Sequence, residues 1–149
     1  MKEVISLPAA QTQDIIKKYL VHAHPHPRKY KEAKYMALRK AGGVMDSLYS
    51  VECAFVLKPE SIELEKDISF LNDKWKDRLL GYIHERKRTF GFGEKEEYKF
   101  YLLKVEHFLN HLPKPKEKNF LSHTYYTLNE LMNGKKEVSR EAEIKKAKG

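Results

Sequence analysis

Apolar residues recur at helical spacing along most of the chain. Between Arg28 and Leu57 they are separated by steps of three or four residues, which places them on one side of a helix. This stripe passes through Gly42 and Gly43 without losing phase, so the pattern predicts one helix over residues 28–57 with a soft point at the glycines. Its members are Tyr30, Ala33, Ala37, Ala41, Val44, Leu48, Val51 and Phe55.

Four further segments carry the same spacing. The pattern predicts a second long helix over residues 60–88, with Ser61 as its N-cap and the cations Arg86, Lys87 and Arg88 at its negative end. A third helix is predicted over residues 94–112, and shorter helices over about 8–21 and 120–133. The breaks between them contain proline or glycine, which interrupt helices.

These elements predict an all-α fold. The expected architecture is an elongated antiparallel bundle built on a helical hairpin (28–57 and 60–88), closed by the third helix and two shorter ones. Residues 1–134 form a single helical domain in this interpretation, and residues 135–149 form a charged, flexible tail. Strands remain an alternative at Met1–Leu7 and at Ser122–Thr127, although neither has an obvious partner.

Composition narrows the class of protein. A chain of 149 residues has the size of one domain, and its 41% of hydrophobic residues is too high for a disordered protein. No run approaches the roughly 20 apolar residues of a membrane-spanning helix, so no membrane partner is expected. The single cysteine, Cys53, excludes an intramolecular disulfide and is interpreted as a small core residue. We expect a cytoplasmic protein.

Positive charge is concentrated in two parts of the chain. The net charge is +8, and residues 1–59 hold 10 basic and 5 acidic groups while residues 135–149 hold 6 and 3. The residues between are balanced, so the excess indicates an acidic partner. On the predicted helix 28–57, Arg28, Lys31, Tyr35 and Arg39 share the face opposite the apolar stripe. Three cations and one aromatic residue in a row suit phosphate contacts, although a solvated helix face explains the same pattern.

Histidine spacing raises the question of a metal site. His22, His24 and His26 alternate in a proline-containing segment, so their side chains would share one side of an extended chain. His107 and His111 form a pair four residues apart on the predicted third helix. Neither set has a nearby aspartate or cysteine to complete a ligand shell, so neither a metal nor any other cofactor is expected.

Two short motifs concern RNA. Arg78 and His84 fit an R-x(4–6)-H spacing, which resembles the signature of HEPN ribonucleases, a family of compact helical bundles. That resemblance implies RNA cleavage, but six residues along a helix turn the two side chains about 240° apart. The run around Phe90 and Phe92 is similar to the aromatic-glycine motif of RNA-recognition domains, but its flanking patterns are helical, so it is interpreted as a turn.

No other catalytic motif is present, so the sequence predicts a non-catalytic protein. The leading hypothesis is an accessory or regulatory protein that binds DNA or RNA through phosphate contacts. The alternative is a helical adaptor or inhibitor with an acidic protein partner, and a HEPN-like ribonuclease is a minor one. Continuous apolar stripes would also permit a homodimer. Tyr35, Tyr49, Tyr101 and Tyr126 are expected on or beside exposed faces, where tyrosine makes good contacts.

Overall fold

The fold is mixed α/β, so the prediction of an all-α helical bundle is wrong. The computed structural model describes residues 1–93, 95–117 and 122–148. A six-stranded sheet with the order β2-β5-β4-β3-β1-β7 dominates it, and β6 and β8 form a separate parallel pair. The strands are β1 (Lys2–Pro8), β2 (Val21–Pro25), β3 (Ala33–Arg39), β4 (Met45–Leu57), β5 (Tyr98–Phe108), β6 (Lys114–Pro115), β7 (Thr124–Tyr126) and β8 (Glu137–Val138).

The described helices are short. They are α1 (Gln13–Tyr19), α2 (Leu64–Asp67), α3 (Asp73–Thr89), α4 (Leu128–Met132) and α5 (Glu141–Lys148). Only α3, with 17 residues, exceeds two and a half turns. None of the helices in the described part of the chain has the length and apolar character needed to cross a membrane.

The segment predicted as the first long helix is a pair of antiparallel strands, β3 and β4. Its consecutive buried runs, Met36 to Arg39 and Ser47 to Tyr49, are typical of strands covered on both faces, which lack a simple alternation of polar and apolar residues. The reversal falls on Gly42 and Gly43, whose φ angles of 79° and 83° strongly favour glycine. A break that the sequence suggested as a soft point is therefore a complete turn.

Of the other two long segments, the second is predicted correctly in part and the third is predicted wrongly. The predicted third helix is strand β5, and the second helix is divided into the one-turn α2 and the longer α3, which begins at Asp73. Its N-cap is Asn72, whose side chain accepts a hydrogen bond from the Trp75 amide at 2.8 Å. The shorter segments contain α1, α4 and strand β7, and β1 occupies the first position where a strand remained an alternative.

The chain divides into two compact units. The first unit comprises residues 1–11, 30–50 and the chain from residue 105 onward. In it β1 lies between β3, which is parallel, and β7, which is antiparallel. Its core contains Val4, Ala37, Met45, Leu48, Leu109, Tyr126, Leu131 and Val138.

The second unit comprises residues 12–29 and 51–104. Its β2 and β5 strands pair antiparallel, and α1 packs on α3 where Gly81 faces the Tyr19 ring. The Arg86 guanidinium lies 4.5 Å from the centre of the Phe92 ring and donates to the Tyr82 hydroxyl at 2.9 Å. This arginine therefore organises the aromatic core of the unit.

Candidate nucleic-acid interface

The four residues predicted to contact phosphates do not share a helix face. Arg28 is exposed in the second unit, after β2, whereas Lys31, Tyr35 and Arg39 belong to the first unit. Lys31 is exposed before β3, while Tyr35 is half-buried and Arg39 is only 3% exposed. The predicted row of cations depended on a helix that the segment does not form.

Arg39 supports the first unit from inside. Its guanidinium donates to the Ser6 hydroxyl at 3.1 Å and to the Ser122 carbonyl. Burial lowers the pKa of Arg39, and the nearby Tyr126 and Tyr30 oppose that shift. A guanidinium engaged in this way ties β3 to β1 and to the segment before β7, so its donors are directed into the unit and away from solvent.

A polar cluster surrounds Arg39 on the inner face of the sheet. Strand pairing sets Ser6 beside Thr124, and these two side chains are 0% and 7% exposed. Tyr126 is fully buried as well, and its hydroxyl has no hydrogen-bond partner within the described residues. Burial is the main cause that raises the pKa of Tyr126 to about 12, so this hydroxyl keeps its proton at neutral pH. The expectation that Tyr49, Tyr101 and Tyr126 are exposed is wrong, because all three are buried.

Three half-buried rings contact one another in the first unit. The Tyr30 and His123 ring centres are 4.4 Å apart, and the His123 and Tyr125 centres are 5.6 Å apart with the rings nearly perpendicular. We call Tyr30, His123 and Tyr125 the aromatic ledge. Arg39 holds the backbone next to it through Ser122, and the Tyr125 hydroxyl accepts a hydrogen bond from the Lys31 amide at 2.7 Å.

Lysines flank the aromatic ledge. The Lys2 ammonium lies 5.7 Å from the centre of the Tyr125 ring and also pairs with Glu141 at 2.8 Å. Lys31 follows Tyr30 directly, is exposed, and forms no ion pair within the described residues. The ledge therefore combines flat aromatic surface with positive charge, which are the two features that unpaired nucleotides contact.

Tyr35, the predicted stacking residue, faces a different part of the first unit. It lines a surface cavity of about 370 Å³ together with Leu48, Leu128 and Met132. The Lys34 ammonium lies 5.4 Å from the centre of its ring. Its aromatic surface is therefore partly used in packing.

The histidine motif folds into the second unit as a cluster on one face of β2 and β5. His22 pairs with Tyr101 and His24 with Lys99, so the four side chains lie on the same face. His24 Nδ1 donates to the Pro25 carbonyl at 2.8 Å, because that oxygen only accepts, and His24 Nε2 then accepts from the Tyr101 hydroxyl at 2.8 Å. With both nitrogens engaged, His24 has no lone pair for a metal ion.

Each of the remaining candidate residues from the sequence has its own local environment in the structure. Arg78 donates to the carbonyls of Tyr19, Leu20 and Leu103, whereas His84 is exposed on α3. His107 is exposed on β5 and His111 bonds the Leu131 carbonyl beyond that strand, so they are not a helical pair. Within the described residues no group of three or more histidine, cysteine, aspartate or glutamate side chains has the geometry of a metal site.

Three other residues singled out by the sequence, Cys53, Phe90 and Phe92, lie in the second unit. Cys53 is half-buried on β4, and burial raises the pKa of its thiol. Phe92 is 9% exposed and contacts Tyr98 and Phe100, while Phe90 is 39% exposed. The run between them forms no strand, in agreement with its interpretation as a turn.

Comparison with solved structures identifies a likeness in fold. No family model matches the sequence, and no curated protein matches it either. The ASCH protein from Zymomonas mobilis aligns over 89% of this chain and 92% of its own, with a TM-score of 0.50 and 9% identity. The chain is similar in fold to that ASCH protein. Two mutant forms of the Zymomonas protein align with TM-scores of 0.48 and 0.47. At this identity the likeness concerns the fold alone, so no residue role is transferred.

Little in the amino-acid sequence predicts the aromatic ledge. Tyr30 was assigned to a buried stripe, and His123 and Tyr125 lie about 90 residues further along the chain. The only local signal was the run of β-forming residues at 122–127, where a strand remained an alternative.

Proposed function

We propose that this chain binds single-stranded nucleic acid without cleaving it, with an unpaired base stacked on the aromatic ledge. The observation that carries the proposal is the contact between the Tyr30 and His123 rings at 4.4 Å, next to the exposed Lys31. Stacking on such rings tolerates any base, since every base has a flat aromatic face. Lys31 and Lys2 supply phosphate contacts on either side.

Charge and burial support this role. The protein carries a net charge of +8 with a pI near 9.4, which favours association with a polyanion. The backbone next to the ledge is held by a buried group, since Arg39 bonds the Ser122 carbonyl as well as the Ser6 hydroxyl. A rigid aromatic surface loses little side-chain entropy on binding, so stacking energy is retained as affinity.

The proposal is tested by fluorescence anisotropy with labelled single-stranded RNA, single-stranded DNA and duplex DNA. His123→Ala removes the central ring and should weaken binding to single strands by roughly 5- to 150-fold, since stacking contributes about 1–3 kcal/mol per base. His107→Ala is the matched control, because His107 is an exposed histidine of the same unit outside the ledge. Equal losses for the two variants would contradict the assignment of the ledge.

Salt dependence tests the phosphate contacts separately. With two or three contacts, affinity for single strands should fall about tenfold between roughly 50 and 200 mM salt. Lys31→Gln should reduce the slope of log K against log salt by about 0.7, whereas Lys135→Gln should leave it unchanged. Absence of binding to any nucleic acid at low salt would overturn the proposal and favour an acidic protein partner. Recovery of shortened strands would overturn the non-catalytic part.

A further inference from the structure

The second unit holds a group of side chains that the nucleic-acid proposal does not use. The histidine cluster consists of His22, His24 and Tyr101 with the cations Arg28 and Lys99. We propose that this cluster is a binding site for a tetrahedral oxyanion, such as inorganic phosphate or the phosphate of a small monoester, and that the bound anion draws one proton onto an imidazole. The proposal concerns the second unit alone and does not depend on the function of the aromatic ledge.

Strand geometry brings the cluster together. His22 and His24 are two residues apart on β2, and their partners Tyr101 and Lys99 are two residues apart on β5. The Lys99 ammonium lies 5.6 Å from the centre of the Tyr101 ring. The ring centres of His22 and His24 are 6.2 Å apart. The side chains of His22, His24, Tyr101 and Lys99 are therefore neighbours on one face of the two strands.

His22 has an unused hydrogen-bonding group. Its side chain is 5% exposed, and its Nδ1 has no hydrogen-bond partner within the described residues. The neighbouring His24 differs, since Pro25 and Tyr101 bond both of its ring nitrogens. A buried polar atom without a partner costs about 1–3 kcal/mol, so an oxygen bound at Nδ1 recovers stability that the free protein lacks.

The charges around the imidazoles are positive. Burial is the main cause that lowers the pKa of His22 well below its usual value, followed by His24, Arg86 and Arg28. Burial likewise lowers the pKa of His24 to about 4, and Arg28, Lys99 and His26 add to that shift while the hydrogen bond to Pro25 opposes it. The side chains named here that act electrostatically on the pair are all basic, which disfavours a metal cation and favours an anion.

Binding of the anion is therefore linked to uptake of a proton from solvent. Both imidazoles are neutral at neutral pH in the free protein, and a bound anion stabilises the protonated form, which raises the pKa in the complex. As the pH falls from about 7 to about 5, affinity should increase by up to tenfold per pH unit for one proton taken up. No bond is broken or formed in the ligand.

Sulfate is the probe, because it keeps one charge state across this pH range and any pH dependence belongs to the protein. The imidazole carbon and nitrogen signals of the isotope-labelled full chain are followed by NMR while sulfate is added against chloride of equal ionic strength. We expect saturable shifts of the His22 or His24 signals and an affinity at least tenfold higher at about pH 5 than at about pH 7. Shifts no larger than those in chloride, or an affinity independent of pH, would overturn the proposal.

Variants and ligands complete the test. Lys99→Gln should weaken sulfate binding at least fivefold, while Lys74→Gln, an exposed lysine of α3 in the same unit, should not. His22→Phe should remove the pH dependence; should that variant fail to fold, Lys99→Gln still decides. Inorganic phosphate and a nucleoside 5′-monophosphate distinguish the two sources of the anion, with the unphosphorylated nucleoside as the negative control. Binding of that nucleoside at equal affinity would contradict an oxyanion site.

Discussion

Arg78 holds the C-terminal end of helix α1, and replacing it tests the packing of the second unit. Its Nε donates to the Tyr19 carbonyl at 2.9 Å, and its Nη2 donates to the carbonyls of Leu20 and Leu103 at 2.8 Å each. Helix α1 ends at Tyr19, and Leu20 follows with a left-handed φ of 57°. The last carbonyls of a helix lack partners within the helix, so the guanidinium caps this end and ties it to β5.

The magnitude follows from these three bonds. A hydrogen bond from a charged donor contributes about 1.5–3 kcal/mol, and a carbonyl left without a partner loses a similar amount. The Arg78 side chain is half-buried, however, so water replaces part of what is lost. We expect Arg78→Met to lower the free energy of unfolding by about 2–4 kcal/mol. Arg78→Lys should recover less than half, because an ammonium cannot reach three carbonyls in the geometry of the planar fork.

Urea unfolding followed by fluorescence measures this effect directly. Trp75 is the single tryptophan, and it lies half-buried on the same helix as Arg78. Arg88→Met is the matched control, since Arg88 is exposed on the last turn of that helix, and it should change stability by less than about 0.5 kcal/mol. A loss below about 1 kcal/mol for Arg78→Met, or full stability of Arg78→Lys, would refute the capping role.

Three other predictions concern stability. An alanine at Gly81 would place its Cβ 2.3 Å from the Tyr19 ring, so Gly81→Ala should destabilise the protein by about 2–3 kcal/mol although alanine normally favours a helix. Gly93 faces open space, so Gly93→Ala should be neutral. Thermal melting compares the two variants. Tyr126→Phe should leave the free energy of unfolding in urea unchanged or raise it by about 1 kcal/mol, because the Tyr126 hydroxyl has no described partner. Tyr82→Phe should lower it by about 1 kcal/mol, since the Tyr82 hydroxyl accepts a hydrogen bond from the Arg86 guanidinium. Burial lowers the pKa of both imidazoles on β2, so the unfolded chain binds protons that the folded chain does not. Stability against urea should therefore fall as the pH decreases through about 6.5 towards 4. A stability that stays constant over this range would contradict the burial of the two histidines.

Helix α3 shows what local pattern can predict. The sequence correctly predicts its apolar stripe of Trp75, Leu79 and Tyr82. The predicted cations, Arg86, Lys87 and Arg88, do lie at its C-terminal end. Its start was placed about ten residues too early, because Ser61 resembles an N-cap as closely as Asn72 does. Serine and asparagine are both favoured at the N-cap, so the sequence alone does not decide between the two positions.

Strands β3 and β4 show where that approach fails. Apolar residues occupy most of their positions, so a stripe with steps of three and four can be chosen from them. The pairing that stabilises β3 is with β1, about 30 residues earlier, and with β4 across the turn at Gly42 and Gly43. Contacts between distant segments leave no periodic signal in either segment.

The candidate site likewise combines features that the local sequence predicts with features that it does not. Lys31 and the excess of basic residues were visible in the sequence, since charge is a local property. The aromatic ledge was not, because Tyr30 and His123 meet only after β1 has placed β3 and β7 on its two sides. The burial of Arg39 was hidden for the same reason, as its partners Ser6 and Ser122 are distant in the chain.

The most direct test of nucleic-acid binding at the ledge is NMR of the His123 ring protons during titration with a short single-stranded RNA. A base stacked on this ring should move its proton signals upfield in a saturable way, while the signals of the exposed His84 and His107 should stay in place. We predict that the His123 shifts and the anisotropy of the labelled RNA give the same dissociation constant. RNA that binds while the His123 signals do not move would contradict it.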